Sequence, residues 1–360
     1  MFYLNNNLPD ENKYMQINLE RILICPECQK ELNMNDSTPS RVSETEALHY
    51  VATVTCPSCN KIYKTERGVI DLRTGITQKG EWDLTVFEKA YEKMDYCKDE
   101  HGWAKSGGYP KYVSDYRYKR VKGKVIEQLK PKNNDTILDV GCGMGHLLFN
   151  IIKEYPDIKI NMAGIDPAMP NIYRFNQRIK EENKPNIIGI LGEAESLPFK
   201  DNSFDSIITS EVIEHIPDKA KAIKEMYRVL KKDGHLFITT PAGPMVRFWE
   251  RFFWFPQKIK RLFIPPKSDP NQKAVFDKPA NKKQLRQYLT QAGFSIERFE
   301  QNAIMLHESY IQFFPNFLIR LMLIKAFILE TYFKPLFNWA GLHYIIMAKK
   351  QNYAKGINKK

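Results

Sequence analysis

The stretch TILDVGCGMGH, residues 136–146, limits the possible folds of this chain more than any other segment of its length. A β-branched and apolar run leads into Gly141, Gly143 and Gly145 at alternate positions, and the helical pattern LLFNIIKEY follows. A strand feeding a glycine turn that opens a helix lets the backbone approach a nucleotide-like ligand without Cβ atoms in the way. Taken alone, the turn is shared with dinucleotide-binding proteins, and a glycine cluster also serves as a plain tight loop. Cys142 lies within the ligand-facing turn and reads as a small buried side chain with no chemistry of its own. The segment INMAGIDP adds a second apolar strand ending at Asp166 and Pro167, and an acid at that tip can accept both hydroxyls of a ribose. NIIGILGEAESLPFKDNSFDSIITSEVIEHIPD supplies two more strands and HLFITTPAG another. Between them KAKAIKEMYRVLKKDG reads as a helix that stops at Gly234 after a lysine pair. This alternation predicts an α/β fold with a doubly wound, mostly parallel sheet.

Four cysteines precede that pattern. Cys25 and Cys28 form one C-x-x-C in LICPEC, and Cys56 and Cys59 form another in VTCPSC. Each tight knuckle aims two sulfurs at one point, and a tetrahedral Zn²⁺ takes four ligands, so the pair predicts a closed, structural zinc site. Two redox pairs or two disulfides are the rival readings. A site of this kind supplies on the order of 10 kcal/mol of folding energy, enough to hold a small module together. His49 lies between the knuckles and is superfluous to a four-cysteine site. The segment YKTERGVIDLRTG closes the module near Gly75, and the whole resembles the small zinc ribbons found fused to, or partnering, methyltransferases.

The larger resemblance rests on LDVGCGMG, GIDP, GEAESLPFKDNSFD, SEVIEHI and the VLKKDGHLFITTP block. In that order they are similar to class I S-adenosylmethionine-dependent methyltransferases of the type-11, ubiquinone/menaquinone-biosynthesis-like group. The likeness runs over about residues 110–242 and resumes at KKQLRQYLTQAGFSIERFE and LHYIIMAKK, which resemble the last helix and last two strands. It implies a Rossmann-like seven-stranded sheet with S-adenosylmethionine as cofactor. Gly141, Gly143 and Gly145 would then hold the methionine part, with Asp139 beneath them on its amino group and Cys142 in the same turn. Asp166, followed by Pro167, would take the ribose, and Glu193 with Ala194 would border the adenine. Ser210 and Glu211 would lie near the sulfonium. Glu193 stands where the family often has aspartate.

Glu211, Glu214 and His215 in SEVIEHI are the sequence-level candidates for catalysis. The same E-x-x-E-H resembles ubiquinone O-methyltransferases, where such a trio is thought to hold a divalent ion that acidifies a phenol. The plainer reading has Glu211 packing near the cofactor while Glu214 and His215 cap the next helix. The Asn/Asp-Pro-Pro-aromatic signature of amino-group methylation on bases is missing after the fourth strand, and no cysteine at a strand tip suits a covalent cytosine mechanism. His235 and His343 are expected to be structural.

Charge and aromatic content divide the chain unevenly. Of 360 residues, 43% are hydrophobic, enough for a full core in two domains or one with appendages. The net charge of +12 resides in the last third: Gly243 to Lys360 carries 20 basic against 7 acidic residues, and 22 of the 44 aromatics. RFWERFFWFPQKIKRLFIP, from Arg247 to Pro265, opens this region, and Glu308 to Gly341 forms a second apolar insertion. Both leave the sheet at its ligand-binding edge and read as a lid. Twelve Leu, Ile or Phe residues between Tyr310 and Glu330 favour insertion by about 4 to 7 kcal/mol, but Arg320 and Lys325 cost about 5 to 7, so the segment should lie on a membrane rather than cross it. Packing of both insertions onto the domain as an enlarged core is the alternative.

The organisation expected is therefore a zinc ribbon over 1–75, a helical, cofactor-covering linker over 76–130, a methyltransferase domain over 131–350 with insertions at 243–280 and 303–341, and a basic tail. The expected partners are a hydrophobic small-molecule or lipid acceptor and an anionic membrane met through 245–264 and 308–341. An RNA-acting enzyme that grips phosphates with the ribbon and the basic third is the second reading. With no signal-peptide pattern after MFYLNNNLPDENKY, a cytoplasmic setting, peripheral on the inner membrane face, is expected.

Overall fold

The computed structural model describes residues 21–32, 38–40, 51–75, 84–85, 88, 111–245, 247–248, 278–303, 315–333 and 341–351. The aromatic, basic stretch beginning at Arg247 lies outside these beyond its first two residues, as do most of the 303–314 segment and the final tail.

The cysteine segment forms a small antiparallel sheet in the order β1 (Thr38–Ser40), β2 (Val51–Thr55), β3 (Ile62–Glu66), β4 (Val69–Ile70). Strand β3 alternates strictly: Tyr63 and Thr65 point inward and are buried, while Ile62, Lys64 and Glu66 face out. Both knuckles close the same way. Cys25 N–H bonds Lys30 O and Gln29 N–H bonds Cys25 O, and Cys56, Lys61 and Asn60 repeat the pattern. Gln29 and Asn60 occupy the left-handed region at φ 59° and 57°, so the two turns are copies in conformation as well as in sequence.

Helices α1 (Lys111–Arg120) and α2 (Lys122–Leu129) lead into a seven-stranded sheet. Its strands are β5 (Thr136–Val140), β6 (Asn161–Asp166), β7 (Ile187–Leu191), β8 (Phe204–Ser210), β9 (Leu230–Pro241), β10 (Phe294–Asn302) and β11 (His343–Lys350), in spatial order β10-β11-β9-β8-β5-β6-β7. Strands β5 to β9 run parallel, and β11 is antiparallel to both neighbours. Strand β7 is buried at every position because both faces of the sheet are covered.

Two cores result. One face packs Leu138, Ala163 and Ile188 against α5 (Lys219–Val229) and α6 (Lys282–Ala292), and the cysteine module joins this core through Leu23, Val54 and Tyr63. The other packs Ile137, Met162 and Ile187 against α2, α3 (His146–Glu154) and α4 (Met169–Glu181). Local chemistry fixes the helix ends: Asp218 caps α5, an Asn281–Gln284 capping box opens α6, and Gly293 at φ 103° closes it.

The sequence reading of α5 needs correction. The helix ends at Val229, and Leu230–Gly234 already belongs to β9. A Cβ on Gly234 would come within 2.8 Å of Asp205 O, so this glycine serves close passage against β8 rather than a helix stop.

A last helix, α7 (Asn316–Tyr332), lies against α1. Val113, Ile319 and Leu342 form a small core between them, and Arg120 pairs with the buried Glu330 at 2.6 Å.

Candidate active site

The strand-to-helix turn after β5 has Gly141, Gly143 and Gly145 all in the left-handed region, at φ 75°, 53° and 74°. Two of them are packed from behind. A Cβ on Gly141 would overlap Val212 at 2.3 Å, and one on Gly145 would enter the Phe175 ring at 1.9 Å. A Cβ on Gly143 meets nothing within 4 Å. The turn is thus clamped on two sides and open at its middle, which is the shape of a cradle.

Asp139 lies beneath the turn, 2% exposed, and makes no hydrogen bond among the described residues. Burial pushes its carboxyl up to about 7; Lys122 opposes that rise and Asp166 adds to it. A buried acid without a donor, beside an open cradle, suits the ammonium of an amino-acid ligand. Asp166 is more committed. Its Oδ2 accepts from Gly143 N–H at 3.0 Å, and its Oδ1 accepts from Ala168 N–H and Asn171 Nδ2 at 3.0 and 3.1 Å. It ties the glycine turn to the start of α4 and keeps acceptor capacity on Oδ2 for a ribose hydroxyl. Burial raises its pKa against those donors. Cys142 is buried, with its thiol pushed well up by burial, and packs beneath the turn near Gly164.

At the corner around Glu193 and the tip of β7 the cysteine module takes part. Leu23 bridges Phe199, Ile24 N–H bonds Pro198 O, and on the module's exit Asp71 pairs with Leu191 at the tip of β7. The buried Glu193 then accepts both from Thr74 N–H at 2.9 Å and from Thr74 Oγ1 at 2.6 Å. Arg73 donates to Pro167 O at 3.0 Å and pairs with Asp71 and Glu88. The sequence reading did not foresee that the module's exit walls this corner. The signal was the polar pair Arg73-Thr74 following the closing strand.

The proposed catalytic trio does not assemble. Glu214 is buried and accepts from Thr240 Oγ1 at 2.9 Å, while His215 Nε2 stays 4.0 Å from Glu214 and is partly exposed. Among the described residues only Cys25, Cys28, Cys56 and Cys59 bring three or more ligand atoms together. Glu211 turns elsewhere. At φ 59° it accepts from Arg117 Nη2 at 2.9 Å, from Thr239 Oγ1 at 3.1 Å, and lies 3.0 Å from His343 Nε2. Ser210 Oγ completes the chain at 2.8 Å from Thr239 Oγ1. Burial alone would raise Glu211, but His343, Arg117 and Lys122 together hold it well below the usual carboxylate range.

His343 was expected to be structural. It opens β11 opposite Pro241, the last residue of β9, so the antiparallel strand brings it to the carboxyl edge beside Glu211. His235 does sit at the far end of its strand, 3.3 Å from Glu297.

In the module, Cys25 Sγ and Cys59 Sγ are 3.7 Å apart, Cys28 and Cys56 3.5 Å, and all four sulfurs lie within 4.8 Å of one another. All are free thiols, and a tetrahedron of Zn–S bonds of about 2.3 Å has edges of about 3.8 Å, so the set fits that ion. Tyr63 O–H lies 2.9 Å from Cys25 Sγ, where it would donate to a thiolate. Cys56 is brought down to about 7: burial works against this, and the N–H groups of Cys59 and Ser58 outweigh it.

Residues 131–293 match a family described as "Methyltransferase domain". The chain carries a class I, S-adenosylmethionine-dependent methyltransferase domain. Relatives of this methyltransferase domain include the demethylmenaquinone methyltransferase of Lactobacillus johnsonii, 32% identical over 39% of this chain and 59% of that protein. The demethylmenaquinone methyltransferase of Staphylococcus haemolyticus is 28% identical over 63% of this chain and 93% of its own length. The ubiquinone/menaquinone biosynthesis C-methyltransferase UbiE of Geotalea daltonii is 29% identical over 50% and 72%. The chain spans about three fifths of the length of the Lactobacillus johnsonii protein and of its Lactiplantibacillus plantarum counterpart.

Proposed function

We propose that this protein methylates a hydrophobic acceptor bearing an acidic hydroxyl, of the prenylated hydroquinone class, at the surface of an anionic membrane. The observation that carries the reading is the outward face of α7. Ile319, Met322, Leu323, Ala326 and Glu330 form its inward stripe, while Phe317, Leu321, Ile324 and Ile328 are exposed. At 100° per residue Arg320 and Lys325 flank that apolar face on opposite sides. This is how a helix lies in a headgroup layer, its rings and aliphatics down and its cations reaching lipid phosphates. No helix among the described residues is long and apolar enough to cross a membrane.

S-adenosylmethionine, when bound, supplies an electrophilic methyl on a sulfonium. The chain's contribution is to hold and orient. Asp139 would take the ammonium, Asp166 the ribose, and Glu193 with Ala194 the adenine, while Gly143 leaves room for the methionine part. The four cysteines would bind structural zinc, which keeps Arg73 and Thr74 in place at that corner. The names of the Lactobacillus, Staphylococcus and Geotalea relatives support a quinone-like acceptor.

Two assays test this. Vesicles containing phosphatidylglycerol should float the protein, and the double variant Phe317→Ser/Ile324→Ser should remain below. Labelled methyl from S-adenosylmethionine should pass to a prenylated naphthohydroquinone. Binding of RNA with no flotation would overturn the membrane reading in favour of a nucleic-acid substrate.

A further inference from the structure

The carboxyl edge holds one buried ring atom that the site so far does not use. His343 is 5% exposed, and its Nδ1 is buried with no hydrogen-bond partner. Its other nitrogen, Nε2, lies 3.0 Å from Glu211 Oε2 and 3.2 Å from Arg117 Nη2. Arg117 can only donate and an ionised Glu211 can only accept. Arg117 already donates to Glu211 at 2.9 Å, so the carboxylate accepts from Nε2–H as well, and the lone pair falls on Nδ1. Leaving that acceptor buried and bare costs free energy that a hydroxyl donor would recover.

Three separate segments impose the arrangement. Glu211 follows β8 with its backbone in the left-handed region, Arg117 comes from α1, and His343 opens β11. Residue Leu342, next to His343, packs with Val113 of α1 and Ile319 of α7, so the ring lies beside that helix pair. We infer that His343 is the general base of the reaction, taking the acceptor's hydroxyl proton on Nδ1, with Glu211 as a positioning residue that fixes the tautomer and Arg117 holding Glu211 in place.

The step balances. The acceptor O–H proton would pass to Nδ1, and the freed electron pair would bond to the methyl carbon at oxygen, or at the ring carbon it activates, in which case that carbon then gives its C–H proton to water and the oxygen regains one. The carbon–sulfur bond breaks with its pair going to sulfur, and the imidazolium beside Glu211 later returns its proton to water. A base so placed contributes about 100-fold or more in rate. Without it a hydroquinone would have to react as the neutral phenol.

The inference rests on the hydroxyl acceptor proposed above, so its test includes a readout that needs no acceptor. In ¹⁵N-histidine-labelled protein, His343→Gln identifies the His343 signals among those of the seven histidines. Nε2 should be protonated and Nδ1 bare near neutral pH, and Glu211→Gln should shift that balance. With a prenylated naphthohydroquinone, His343→Gln should lose at least about 100-fold in kcat with S-adenosylmethionine affinity unchanged. The charged groups around the ring are Glu211 and Arg117, with Lys122 acting through Glu211. A proton on Nδ1 in the free protein, or turnover within threefold of the parent in a folded His343→Gln, overturns the assignment. If the parent itself does not turn over the hydroquinone, the acceptor reading fails and the tautomer alone decides the role of His343.

Discussion

The two ends of the carboxyl edge are built by different means. At the end proposed for the cofactor a short run of chain makes the site: residues 139–145 supply the turn, and the backbone geometry of three glycines would be the recognition element. At the end proposed for the acceptor almost nothing is local. Arg117, Glu211, Thr239 and His343 come from segments as far as 226 residues apart, and they meet as charges and hydrogen bonds between side chains. Shape does the work at one end and electrostatics at the other, so the two should fail in different ways when perturbed.

The largest effect should follow loss of the metal-fitting cluster, because it tests whether the cofactor end is as self-contained as its glycines suggest. Cys56→Ser, or treatment with a strong chelator, should unfold the module at a cost on the order of 10 kcal/mol to that unit. Thr74 would then leave Glu193. The expected outcome is a large loss of S-adenosylmethionine affinity by calorimetry, with the His343 ¹⁵N signature at the other end preserved. Unchanged affinity would show that the module is an attachment rather than a wall of the site.

Within the cofactor end, two glycines of like conformation should separate packing from binding. Gly145→Ala places a methyl inside the Phe175 ring and also strains the left-handed backbone, a combined cost of about 2 to 6 kcal/mol that lowers the melting temperature. Gly143→Ala carries only the backbone strain, about 1 to 3 kcal/mol. Its methyl projects into open space, so it should remove cofactor binding while costing less stability. Equal melting points for the two variants would break the distinction between clamp and cradle.

The same contrast explains what the sequence reveals. The glycine turn, the acid at Asp166 and the paired knuckles are read from short-range pattern, because their chemistry is carried by neighbours in the chain. Arg117 and His343 carry no such pattern. Arg117 sits in a helix with no marked apolar face, and His343 gains its place only because β11 runs antiparallel and so returns its first residue to the edge where the parallel strands end. The E-x-x-E-H spacing misleads for a related reason. A short 3₁₀ turn over Ile213–His215 sends Glu214 inward to Thr240 and His215 outward, so neighbours in sequence diverge in space. Thr74 shows in the sequence only as half of the polar Arg73-Thr74 pair, with nothing local to name its partner, since Glu193 lies 119 residues on.

That contact offers a finer test of the module's role than unfolding it. Thr74→Val removes the hydroxyl donor to a buried carboxylate but keeps the backbone N–H, so about 1 to 3 kcal/mol of local stabilisation is lost. The melting temperature should drop by a few degrees and S-adenosylmethionine affinity by about tenfold. Thr74→Ser should restore both, and a serine variant as weak as valine would mean that the methyl packing, not the hydroxyl, matters.

A test that needs no substitution concerns Asp139, and here the sign decides the reading. Its carboxyl is raised by burial to about 7, against an ordinary 3.8, so the folded, ligand-free protein keeps a proton that the unfolded chain gives up. Stability from this group is therefore complete below about pH 4, declines as pH rises, and is fully lost above about pH 7, a change on the order of 4 kcal/mol. An incoming ammonium reverses the preference by favouring the carboxylate. Below pH 7, binding must expel the proton, and S-adenosylmethionine affinity should fall about tenfold per pH unit until the ordinary acid range is reached. Above about pH 8 the ligand's own amino group loses its charge, so affinity should peak between 7 and 8. Calorimetry in buffers of different ionisation enthalpy should detect nearly one proton released at pH 6. Asp139→Asn should bind more weakly at pH 7.5 and show no proton release. A wild-type protein whose affinity is flat from pH 5.5 to 7.5 would mean that Asp139 does not meet the ammonium, and the open cradle at Gly143 would have to hold its ligand by backbone alone.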